Sequence, residues 1–80
     1  MERRLALLNV ELRGIFEKGI ERKRWNARDL AQKVGIEELM VADWLCQPVR
    51  IPLSDLARLA TELCVEYKVC LAINRISAKL

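Results

Sequence analysis

The chain has 80 residues, of which 52% are hydrophobic and 31% charged, with a net charge of +3. That is one globular domain at most, with a core small enough to need well-packed helices, staples or an oligomer. Three Gly and two Pro disfavour a turn-rich all-β fold, and the absence of histidine removes an imidazole base or an ordinary catalytic triad.

Other function classes drop out in turn. The three cysteines Cys46, Cys64 and Cys70 are odd in number and match no zinc spacing. They are expected to be reduced, buried thiols of a cytoplasmic protein, with no disulfide, metal or cofactor. The apolar run Leu5–Leu8 follows Arg3 and Arg4, but it is far too short for a signal peptide and meets Glu11 and Arg13 at once. No stretch approaches the ~20 apolar residues of a membrane span. No glycine-rich phosphate loop is present. Charge is segregated: residues 1–35 sum to +4, residues 36–66 to −4 and residues 67–80 to +3.

Leu5, Leu8, Leu12, Ile15, Phe16 and Ile20 recur at three- and four-residue steps and predict an amphipathic first helix. Gly14 and Gly19 each cost it about 1 kcal/mol relative to Ala, which leaves room for fraying or a bend. The run from Glu21 to Arg24 is its polar exit. Asn26 reads as an N-cap with Asp29 three residues on, close to a capping box. Leu30, Ala31 and Val34 then form the buried stripe of a short helix that Gly35 ends in the left-handed region. A further helix is expected from about Glu37 to Leu45 or Cys46, with Val41, Trp44 and Leu45 facing inward. Trp25 and Trp44 are core by default. Pro48 and Pro52 bracket a loop. Ser54 is expected to cap the next helix, whose stripe is Leu56, Leu59, Ala60 and Leu63. From Val65 onward the pattern fits either a strand through Ile73 or a helix through Val69, Ala72, Ile73, Ile76 and Leu80. The helix is favoured because its pattern reaches the C-terminus, whereas alternation breaks after Asn74.

These residues together resemble the Cro/repressor, or XRE, helix-turn-helix family. The carrying pattern is Leu30-Ala31, three residues, Gly35-Ile36, then Val41 and Trp44, a proline-containing loop, and Leu56, Leu59, Ala60 and Leu63. The likeness covers about residues 12–73. It implies a single, compact, all-α, lambda-repressor-like domain of four to five helices. Residues 1–11 would form an N-terminal helix extension and residues 65–80 a C-terminal helix. It also implies a small DNA-binding transcription regulator of the kind found in phages and mobile elements, acting on operator DNA as a twofold dimer. In that family the helix at about 27–34 braces against the DNA backbone, and the helix at about 37–45 reads bases in the major groove.

Carried onto this chain, phosphate contacts fall to Arg22, Lys23, Arg24, Arg28 and Arg50. The reading face falls to Glu37, Glu38, Met40 and Asp43. Family reading helices open with neutral or basic donors; this one opens with acids, and carboxylates repel phosphate. The alternative expectation is a helix-turn-helix fold turned to protein binding, as an antiactivator, antirepressor or phage-encoded inhibitor. Glu37, Glu38 and Asp43 would then surround an apolar spot at Met40 and meet a basic protein partner. A homodimer is expected through Leu5, Leu8 and Leu12 at the N-terminal end and Ile73 and Ile76 at the C-terminal end.

Overall fold

A computed structural model describes residues 3–77. The expectation that the last helix reaches Leu80 lies outside the described residues. Five α-helices follow one another: α1 (Arg3–Lys23), α2 (Ala27–Val34), α3 (Glu38–Cys46), α4 (Leu53–Glu62) and α5 (Glu66–Ser77), with one 3₁₀ turn at Pro48–Arg50 between α3 and α4. The all-α architecture agrees with the sequence reading. Among the described residues there is no strand, and residues 66–77 are helix rather than strand.

α1 is helical from Arg3 to Lys23, both glycines included. It buries Leu12, Phe16 and Gly19, with Leu8, Ile15 and Ile20 packed beside them. Gly19 is a site of close approach. A Cβ there would meet Leu63 Cβ at 3.2 Å and Val65 Cγ1 at 3.3 Å, so the missing side chain lets the turn after α4 lie against α1. α5 packs chiefly on α1, and the Arg75 guanidinium donates to the Glu11 carboxylate across that seam.

α2 is bounded as its sequence requires. The Asn26 side chain accepts from the Asp29 N–H at 2.9 Å, and the Asp29 carboxylate accepts from the Asn26 N–H at 3.0 Å. This reciprocal box satisfies two helix-end donors. Gly35 closes the helix at φ 71°, and the Ile36 N–H donates to the Ala31 carbonyl at 3.1 Å.

The same 6→1 closure ends two other helices without glycine. Trp25 N–H donates to the Ile20 carbonyl at 3.1 Å with Arg24 at φ 58°, and Val65 N–H donates to the Ala60 carbonyl at 2.9 Å with Cys64 at φ 59°. Each non-glycine residue in this conformation costs about 1–2 kcal/mol.

Two expectations are corrected. Ser54 does not cap α4: the helix begins at Leu53 with Pro52 in the cap position, and no side chain caps it. The Pro52 carbonyl accepts the first helical bond from Leu56 N–H at 2.8 Å, which leaves Ser54 inside the first turn. The cysteines, expected to be buried, are all three exposed. Cys46 closes α3 on its solvent side, Cys64 sits in a left-handed turn, and Cys70 lies on the outer side of α5, while their neighbours Trp44, Leu63 and Val69 take the interior.

Candidate functional site

The turn Gly35–Glu37 joins α2 to α3, which packs against α2 with Val41 and Trp44 buried. At 100° per residue the opposite side of α3 carries Leu39, Asp43 and Cys46, with Met40 and Glu38 at its two edges. The exposures agree. Leu39 is 75% and Met40 48% exposed, and Glu37, Glu38 and Asp43 are all on the surface. The sequence reading centred its apolar spot on Met40. Leu39 is the more exposed of the two. Glu37 lies in the N-cap position rather than inside the helix, and its side chain makes no cap hydrogen bond. Its carboxylate is therefore not occupied by helix-end donors.

The five cations expected to bind phosphate do not form one surface. Arg28, on the first turn of α2, donates to the Glu38 carboxylate at 3.2 Å, so its charge is met by an acid of α3 itself. Arg22 donates to the Leu63 carbonyl at 3.1 Å and ties the end of α1 to the turn after α4. Lys23 lies 5.6 Å from the Trp25 ring centroid, and Lys33 lies at the same distance. Trp25 is accordingly half-buried rather than fully core. Arg50 sits exposed on the 3₁₀ turn, whose Val49 N–H donates to Asn9 Oδ1 at 3.2 Å. Asn9 is about 20 Å along α1 from Arg22, at 1.5 Å rise per residue. Arg24 is exposed in its left-handed turn. Two cations that the sequence reading passed over, Lys18 and Lys68, join Arg22 and Arg24 around one groove. They come from positions 50 residues apart in the chain, and no local pattern links them.

The expected dimer residues also divide. Leu12 is 1% and Ile76 8% exposed, so both are buried within the single chain. Leu8 and Ile73 pack partly against that core. Leu5 remains exposed, beside Leu7 and Val10 on α1, which sequence reasoning did not single out.

Among the described residues no group of His, Cys, Asp or Glu gathers to hold a metal ion, and no helix is long and apolar enough to cross a membrane. Comparison with known proteins gave no match to a family model, a curated protein or a solved structure.

Proposed function

We propose that this chain is a small helical binding module that regulates by docking another protein on α3. Leu39 and Met40 take an apolar side chain of the partner, and Glu37 and Asp43, which Arg28 leaves free, meet its basic residues. An antiactivator, antirepressor or inhibitor of another factor has this form. The observation that carries the reading is the grouping of two exposed apolar residues of α3 with the acids Glu37, at its N-cap, and Asp43, while Arg28 is spent on Glu38. An apolar centre with a charged rim is the anatomy of a protein interface. A major groove lined by phosphates repels uncompensated carboxylates.

A second reading is operator DNA binding by a small regulator. The short capped helix α2 and the left-handed Gly35 that joins it to α3 favour it, because a helix-turn-helix is built from such a pair. Arg24 and Arg50 are exposed and available for phosphates. Both readings put the protein in the cytoplasm and need no cofactor.

In vitro selection from random duplex DNA separates the two, using the wild type and the Leu39→Asp/Met40→Asp variant. The protein-docking reading predicts that the wild type enriches no sequence motif. A motif enriched by the wild type and lost with the variant overturns it and establishes α3 as a reader of bases.

A further inference from the structure

A groove runs between the C-terminal end of α1 and the N-terminal end of α5. It has a volume of about 610 Å³ and is lined by Lys18, Glu21, Arg22, Arg24 and Lys68. Four of these five side chains are cations. No ion pair within 4.0 Å engages Lys18, Arg22, Arg24 or Lys68 among the described residues. With Glu21 as the one acid of the lining, four cations against one carboxylate leave the groove with an excess of positive charge.

Part of this charge follows from helix electrostatics. Arg22 and Arg24 lie at the C-terminal end of α1, where cations are favoured by the helix dipole. Lys68 has no such reason. It is the third residue of α5, at the end where a helix dipole favours acids, and it faces the groove. Arg24 stands in a left-handed conformation that glycine would adopt without strain. Arg22 is held by its bond to the Leu63 carbonyl, so one guanidinium of the groove is already oriented before any ligand arrives.

We propose that this groove is an anion site for phosphate-bearing ligands with two or more adjacent phosphoryl charges. Guanidinium groups match the paired oxygens of a phosphate, and the lysines add point charges on either side. A single carboxylate satisfies too little of this charge. The ligand is a free polyphosphate or the phosphates of a nucleic-acid backbone; the two present the same chemistry to the groove. The site shares no residue with the acidic face of α3, so it stands independently of the function proposed for that helix.

The test uses isotope-labelled protein titrated with inorganic tripolyphosphate and, separately, with a short random-sequence duplex. A polyglutamate peptide at equal ionic strength is the comparison. Amide signals around Lys18, Arg24 and Lys68 are expected to shift, and those of Leu39 and Met40 to stay in place. Shifts with tripolyphosphate identify a free anion as sufficient; shifts with the duplex alone identify the backbone as the source. The Lys18→Gln/Lys68→Gln variant keeps Arg22 and its bond to Leu63, so its helicity is expected to match the wild type. It should bind about tenfold or more weakly, with the salt slope lower by about two. Three outcomes overturn the proposal: no groove shift with either phosphate ligand, an affinity for the variant within about twofold of the wild type, or polyglutamate binding as tightly as tripolyphosphate.

Discussion

Arg28 on α2 and Glu38 on α3 form an ion pair at 3.2 Å across the turn at Gly35. The pair consumes the cation that the bracing helix would offer a phosphate, and it leaves Glu37 and Asp43 as the free acids of α3. Both partners are at least half exposed, so the pair adds little stability, about 0–1 kcal/mol. Glu38→Gln is therefore expected to leave the urea midpoint nearly unchanged while raising non-specific DNA retention at low salt. A stability loss well above about 1 kcal/mol would show that the pair holds the two helices together.

The two α1 glycines are expected to respond with opposite signs to alanine. Gly14 has open space where a Cβ would stand, so Gly14→Ala should stabilise by about 0.5–1 kcal/mol through helix propensity. Gly19→Ala pushes a Cβ against Leu63 and Val65, and overpacking of about 1–3 kcal/mol should exceed the propensity gain. Denaturant unfolding of both variants checks this. Stabilisation by Gly19→Ala would mean that the turn after α4 yields freely.

The three left-handed helix ends give a third comparison. Gly35→Ala should destabilise by about 1 kcal/mol, and Cys64→Gly should stabilise by up to a similar amount, because each trades against the same conformational preference. Thermal unfolding of the two variants reads both signs at once. Equal destabilisation by both would remove the strain argument for Cys64, and with it the one for Arg24.

Thiol reactivity tests the corrected view of the cysteines. Cys46, Cys64 and Cys70 are exposed, so all should react with a thiol reagent in the native state without denaturant. A native protein with silent thiols would restore the buried assignment.

What was legible in the sequence was local. The Asn26–Asp29 box, the Gly35 turn and the stripes of α1 and α4 are each written within a few residues, and each appears as read apart from Leu5, which stays exposed. The outward side of α3 followed from placing Val41 and Trp44 inside. What was not legible depends on contacts between distant segments. Nothing near Gly19 announces Leu63, nothing near Arg22 announces the Leu63 carbonyl, and Lys18 and Lys68 meet only because α5 folds back along α1. Leu12 and Ile76 looked like interface residues for the same reason: α1 and α5 supply each other's apolar partner. Ser54 misled because Pro52 starts the helix earlier than a side-chain cap would.

The central claim, that α3 docks a basic protein partner, is tested most directly by quantitative capture from the source cells. Three baits are compared: wild type, Leu39→Asp/Met40→Asp and Glu37→Gln/Asp43→Asn. None of these substitutions touches a core residue or a cap hydrogen bond, so helicity by circular dichroism should match across the baits. The account predicts a protein with a Lys/Arg-rich surface that the wild type retains and both variants lose. With that partner purified, Met40→Ala should cost about 1–2 kcal/mol, chiefly in faster dissociation, and the acid variant should slow association. Equal retention by all three baits, or capture that disappears on nuclease treatment, would contradict it.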